Sequence, residues 1–156
     1  MPLHKLALNY TAVTDLEPLR GMALKHLTLQ NTKVTDLKPL QGMPLEILTL
    51  RSTAVTDISV LRGMPLTTLR LCDCQQLNDL SPLAEARGLT FLSLPANAKD
   101  IEFLRTFPKL ERLSFTEGTH KRWLPSQTTA EFWLQYERKA RALDPPANAS
   151  PLPGRE

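Results

Sequence analysis

Residues 43–63 read MPLEILTLRSTAVTDISVLRG. The same 21 positions recur, nearly unchanged, at residues 22–42 (MALKHLTLQNTKVTDLKPLQG) and at residues 1–21 (MPLHKLALNYTAVTDLEPLRG). Degraded copies start at Met64 and Gly88, and a partial one at Pro108. The anchoring leucines Leu3, Leu24, Leu45, Leu66, Leu89 and Leu110 step by 21, 21, 21, 23 and 21 residues. A fixed period of this length marks a repeat architecture, in which no unit buries its apolar side chains alone and stacked neighbours share one core.

Within a unit the pattern is L-x-x-L-x-L-x-x-T-x-V-x-D-L-x-P-L. Leu48 and Leu50 alternate with Thr49, the period of a short strand with one face buried. The chain must then turn. The turn position holds Thr11, Thr32, Thr53, Cys74 and Asn97, small groups that can bond backbone left unpaired there. Val13, Val34, Val55 and Leu77 are expected to point back inward, and Lys99 breaks that column. Asp15, Asp36, Asp57, Asp79 and Asp100 are expected at N-cap positions, where a carboxylate accepts from the first unbonded amides. Pro18, Pro39 and Pro82 fall two residues into the following turn, where a missing N–H costs little, and Gly21, Gly42 and Gly63 end it. Each unit reads as strand, turn, one short helical or 3₁₀ turn, and return. The expected fold class is α/β: a solenoid with a parallel β-sheet on one face, short turns on the other and a C-terminal capping helix.

On these motifs the chain resembles the leucine-rich repeat proteins, whose pattern is L-x-x-L-x-L-x-x-N. The 21-residue period and the V-T-D-L-x-P-L tract are similar to bacterial internalin-type repeats. The resemblance covers roughly residues 1–116 and implies a leucine-rich repeat solenoid. The chain departs from it in using Thr where the family prefers Asn, kept here only as Asn97. Turn geometry is therefore where a difference is expected.

At 156 residues the chain has room for one domain and a tail. The expected division is repeats over 1–118, a C-terminal cap over 119–143 with a helix about 129–143, and a disordered proline-rich tail over 144–156. Net charge is +3, from 19 basic and 16 acidic residues. Much of the excess lies in Lys121, Arg122, Arg138, Lys139 and Arg141, a solvated face. No basic run interleaved with aromatics lines the repeats, so nucleic acid is not an expected partner. No stretch reaches the ~18 uninterrupted apolar residues of a membrane span. The N-terminus runs straight into the first repeat instead of forming a secretory leader, so the cytoplasm is the expected compartment if the chain is complete. Cys72 falls at an outward position and Cys74 at a turn; both are expected as reduced thiols, Cys74 standing in for Thr.

The fourth unit carries single insertions within residues 72–76 and 84–88, both in connections, and the sixth dissolves after Gly118. Met1-Pro2-Leu3 matches Met43-Pro44-Leu45, so the first residue stands where an internal repeat begins. Solenoids need a terminal unit with a polar outer face. The expectation is a piece of a longer repeat protein, a start at an internal Met, or a first coil that associates with another copy through Leu3 and Leu6. At the other end Thr128-Thr129-Ala130-Glu131 forms a capping box, followed by Phe132, Trp133, Tyr136, Ala140 and Leu143 at helical spacing. This helix is expected over the open end of the last coil, with Trp123 and Leu124 beneath it. Trp123 with Ala130-Glu131-Phe132-Trp133-Leu134-Gln135-Tyr136 is similar to the end of repeat regions attached to bacterial serine/threonine protein kinases. That likeness implies an accessory segment whose catalytic domain lies elsewhere, since the chain has no Gly-rich phosphate loop, H-R-D or D-F-G tract.

No enzyme, cofactor or metal site is expected. His4, His26 and His120 belong to different units, and capping accounts for the aspartate ladder. The expected function is non-catalytic binding of a protein partner through the outward side chains of the strands. The repeat phase sets these in columns: Lys5, His26, Ile47, Thr68, Phe91 and Arg112; then Ala7, Thr28, Thr49, Arg70, Ser93 and Ser114; then Asn9, Gln30, Arg51, Cys72, Pro95 and Thr116; then Tyr10, Asn31, Ser52, Asp73, Ala96 and Glu117. From them Tyr10, His26, Ile47, Arg51, Arg70, Phe91 and Arg112 are the candidate partner-binding residues, being of types that anchor interfaces. Six strands ~4.8 Å apart make a face only about 24 Å wide, close to the lower limit for a stable interface. The alternative is a structural or spacer segment of a larger signalling protein, with no ligand of its own.

Overall fold

The computed structural model describes residues 3–118 and 124–143. The leucine alternation gives six three-residue strands: β1 (Lys5–Ala7), β2 (His26–Thr28), β3 (Ile47–Thr49), β4 (Thr68–Arg70), β5 (Phe91–Ser93) and β6 (Arg112–Ser114). They form one parallel sheet in sequence order. Leu6, Leu27, Leu48, Leu69, Leu92 and Leu113 are register partners down that sheet, so the repeat period is converted directly into a stacking distance. All but Leu6 are fully buried. Leu29, Leu50, Leu71 and Leu94 form a second buried file, and Val34, Val55 and Leu77 close the interior from the far side.

Three residues past the end of each of β1–β4 the chain enters the left-handed region, at Tyr10, Asn31, Ser52 and Asp73, with φ between 53° and 63°. In three of these units the following Thr closes the turn by donating to the carbonyl three residues back: Thr11 to Leu8 (2.6 Å), Thr32 to Leu29 (2.8 Å) and Thr53 to Leu50 (2.7 Å). Asn97 works differently. Its longer amide reaches into the preceding unit, within 3.1–3.2 Å of the Gln75 and Leu77 carbonyls. Thr therefore fastens a coil to itself, whereas Asn fastens one coil to the next. Cys74 also crosses, its thiol donating to the Leu50 carbonyl at 2.9 Å.

The far side consists of 3₁₀ turns: Glu17–Leu19, Lys38–Leu40, Ser59–Leu61, Ser81–Glu85 and Glu102–Thr106. Asp15, Asp36, Asp57 and Asp79 accept from the first amide of the first four turns at 2.7–2.8 Å. They stand one residue farther out than an N-cap, because Leu16, Leu37, Ile58 and Leu80 occupy that place and turn into the core. Asp100 departs from the ladder and adopts φ 51°. Gly21, Gly42 and Gly63 have φ of 71–77°, which only glycine adopts without strain.

After β6 the chain folds back on itself, with Glu117 bridging Pro125 and Arg112 bridging Thr128, both antiparallel. Helix α1 (Thr129–Leu143) follows. Its capping box closes, Glu131 Oε2 accepting from Thr128 N–H (2.9 Å) and Glu131 N–H donating to Thr128 Oγ1 (3.3 Å). Phe132 and Trp133 are buried against the last coil. Phe132 lies 5.2 Å from Phe115 between ring centres, and the Arg105 guanidinium sits 4.0 Å over the Trp133 ring. Trp123, placed beneath the helix by the sequence, and the tail over 144–156 lie outside the described residues.

Among the described residues nothing covers the first coil. Leu3 is 47 % exposed, and Leu6, Leu8, Val13 and Leu19 are only half-buried, although their counterparts one repeat on are buried. Burial at one sequence position thus rises from the first coil inward. Leu48→Ala is expected to cost about 2–5 kcal/mol and Leu6→Ala under half of that, measured by urea unfolding followed by circular dichroism. Equal costs at the two positions would show that the first coil is covered.

Candidate functional site

The strand face divides in two. Over β1–β3 the face is open except at Thr49, while at β5–β6 the column of Ser93 and Ser114 lies under the chain's own return segment. Thr49, Ser93, Ser114, Cys72 and Pro95, which the repeat phase assigns to exposed columns, are buried. At β5–β6 the reason is the fold-back: Ser114 Oγ accepts from Ser126 N–H at 3.0 Å, and Ser93 Oγ donates to Glu117 at 3.0 Å. A repeat pattern describes an average unit and carries no information about a later segment laid across it.

At the boundary between the two halves sits a carboxylate. The Glu117 side chain is only 2 % exposed. Arg70 grips it with both prongs of its guanidinium, Nε to Oε1 at 2.6 Å and Nη2 to Oε2. Arg51 approaches the same carboxylate at 3.6 Å and donates from Nε to Asp73 Oδ2 at 3.1 Å. Residues from β4, from two turns and from the return segment are thereby tied into one alternating charge array. Burial raises the Glu117 carboxyl, but the hydrogen bond and charge of Arg70, with Cys72 and Ser93, outweigh it and hold the group below the ordinary carboxylate range. Burial and then the Glu117 charge push the adjacent Cys72 thiol up to about 12, so it is an inert thiol at neutral pH.

The seven candidate residues therefore fall into two sets. Arg51, Arg70 and Arg112 are held by the chain itself; Arg112 donates to the Pro125 carbonyl (2.8 Å) and the Ser126 carbonyl (3.1 Å). Tyr10, His26, Ile47 and Phe91 make no comparable commitment to the return segment. Tyr10 is 72 % exposed and its hydroxyl accepts from Gln30 Nε2 at 2.7 Å; His26, Ile47 and Phe91 are half-buried in one file across the strands. The sequence reading missed Glu117 as the partner of the arginines. Its signal was weak, a lone acid 47 residues from Arg70. Thr28 Oγ1, buried on the open half, has no protein partner among the described residues. Among the described residues no cluster of three His, Cys, Asp or Glu side chains is placed to hold a metal ion, and no helix is long and apolar enough to cross a membrane.

Glu117 links the return segment to the sheet, so its charge state is a stability determinant. A carboxylate whose pKa falls on folding stabilises the fold above its unfolded value, and that contribution is lost as pH falls through the folded value. Glu117→Gln is expected to destabilise by about 1–3 kcal/mol at pH 7, because Arg70 loses its charged partner while half-buried. The gap between wild type and variant is expected to close as pH drops below about 4.5, the model-compound value, in denaturant titrations at stepped pH. A gap that persists unchanged at acid pH would remove the ion pair from the explanation.

No family model and no curated protein matches the chain. Among solved structures it is similar to internalin C2 of Listeria monocytogenes, with 32 % identity and a TM-score of 0.66, over 72 % of this chain and 51 % of that one. A second Listeria monocytogenes internalin (inlF) aligns at 22 % identity and a TM-score of 0.47, over 75 % of this chain and 48 % of that one. The chain thus spans about half the length of the internalins it matches. Neither bears on the kinase-attached repeat regions that the Ala130–Tyr136 segment resembles. The 21-residue coils, the single parallel sheet and the match to internalin C2 together identify the fold as an internalin-like leucine-rich repeat solenoid.

Proposed function

We propose that the chain is a non-catalytic recognition module that binds a protein partner through the part of its strand face that the return segment leaves uncovered, along the file of His26, Ile47 and Phe91. The observation that carries this reading is the pairing of half-buried Ile47 and Phe91 with an arginine pair already fixed in position by Glu117 and Asp73. Arginines whose rotamers are set in advance lose little entropy when a partner docks beside them. Ile47, His26 and Phe91 supply apolar and amphipathic area. Similarity to internalin C2 supports the reading at the level of fold.

Size argues for weak binding by this segment alone. The full face is about 24 Å wide, and the return segment removes part of it, leaving less than the ~800 Å² per partner of a standard interface. Dissociation constants in the micromolar range or weaker are expected.

The test is crosslinking capture with the wild-type chain beside an Ile47→Glu/Phe91→Glu double variant, neither residue being part of the Glu117 array. A species retained by wild type and reduced at least about tenfold by the variant, with circular dichroism unchanged, supports the module. Capture of nothing, or equal capture by both, favours the spacer reading instead.

A further inference from the structure

Two columns of the strand face hold small or neutral side chains except at one spot. Arg70 interrupts the column of Ala7, Thr28, Thr49, Ser93 and Ser114, and Arg51 that of Asn9, Gln30, Cys72, Pro95 and Thr116. Successive coils bring the two guanidinium groups together, and Ser93 Oγ, fully buried, joins them. Two donors of Arg70 and one of Ser93 converge on a single carboxylate, that of Glu117. The donors belong to the coils, whereas the carboxylate belongs to the segment laid across them.

Closing the stack does not require this contact. Phe132 and Trp133 cover the last coil, and the β6 edge is paired by Leu113 N–H to the Gln127 carbonyl (3.2 Å) and by Thr129 N–H to the Glu111 carbonyl (3.0 Å). Where the segment crosses the strand face, polar bonds hold it: Arg70 to Glu117, Ser126 N–H to Ser114 Oγ, and Arg112 to the Pro125 and Ser126 carbonyls. A desolvated ion pair returns little net stability beside apolar packing of the same volume. Bonds of this kind exchange for equivalent ones without opening the leucine core. Nor does the tethered carboxylate saturate its donors. Arg51 Nη1 stops 3.6 Å from Glu117, short of a hydrogen bond, while Arg51 Nε is engaged by Asp73. A carboxylate free of the backbone at residues 116–118 can settle between both guanidinium groups.

We infer that Arg70, Arg51 and Ser93 form a carboxylate-binding site, which the chain fills with its own Glu117 and which an acidic side chain of a partner takes over. A guanidinium fork fits a carboxylate with two parallel bonds, and Ser93 Oγ adds a third donor. The displaced Glu117 carboxylate regains water, so the exchange trades one solvated anion for another. Glu117 thus makes the strand face selective: a neutral or basic surface has nothing to offer the arginines in its place. The site stands on its own geometry; its use by a partner rests on the recognition reading given above.

Propionate, which reproduces the glutamate side chain from Cβ outward, is the probe. Glu117→Ala is expected to lower the melting temperature, and about 0.1 M sodium propionate to restore at least half of the loss, whereas sodium chloride of equal ionic strength does not. Adding Arg70→Met is expected to abolish the recovery. Takeover is read in the wild-type chain by hydrogen exchange at Ser126 N–H, which bonds the Thr116 carbonyl beside Glu117 at 3.1 Å. Exchange there is expected to be about tenfold faster in propionate than in chloride, the mass-action factor for a site of about 10 mM affinity. Leu29 N–H, bonded to the Thr49 carbonyl at 2.8 Å, is expected to exchange equally in both salts. Should Glu117→Ala fail to fold, the wild-type measurement decides alone. Equal recovery in the two salts, recovery that survives Arg70→Met, or exchange at Ser126 indifferent to propionate would overturn the inference. Recovery and faster exchange, together with equal capture by wild type and the Ile47→Glu/Phe91→Glu variant, would sustain the carboxylate site and remove only the apolar file from recognition.

Discussion

A 21-residue coil cannot enclose its own leucines, and everything else in the structure follows from that constraint. Three-residue strands and single 3₁₀ turns are too short to form a core, so each unit buries Leu48-type and Leu50-type side chains only against the units before and after it. Parallel pairing then comes from translation: when the same pattern is repeated at the same length, the same residue lands in register each time. The two extra residues between Leu66 and Leu89 are absorbed in connections, the second where the 3₁₀ turn Ser81–Glu85 is longer than its predecessors. The ladder between β4 and β5 is undisturbed.

A stack held together in this way has two vulnerable ends. At the C-terminal end the chain supplies an aromatic cluster of Phe115, Phe132, Trp133 and Tyr136, and its return segment pairs with the edge of β6. At the N-terminal end the same leucine positions are half-exposed. The consequence is a gradient of burial along the molecule, steepest between the first and second coils. The closed end lends its return segment to the strand face.

Glu117 is where that loan has the largest chemical effect. A carboxylate buried without partners is strongly disfavoured, so its placement depends on the bidentate grip of Arg70 and the neighbouring charge of Arg51. In return, two arginines that the repeat pattern presents as independent surface groups become parts of one fixed array. The sequence made both arginines visible as candidates but gave no sign that they were already engaged, because charge pairing over 47 residues leaves no local pattern. Ile47, His26 and Phe91 were legible for the opposite reason: their positions depend only on the phase of the repeat. Cys72 was misjudged on that same phase, its outward position being roofed by Glu117 and Ser93.

The amino-acid sequence by itself determined the coil length, the inward files of leucine and valine, the parallel order of the strands and the placement of the turns. These are local and periodic properties, and each needs only the pattern of one unit and the knowledge that it recurs. Tertiary structure alone decided which part of the strand face stays open, which arginines are committed, and how Thr and Asn divide the work of fastening a turn to its own coil or to its neighbour. Such outcomes depend on contacts between segments that share no period, above all the return of residues 115–118 and 124–128 across β5 and β6. Periodicity fixes what repeats; a single non-repeating segment settles on the surface that the repeats leave, and its position is set by the side chains it happens to meet there.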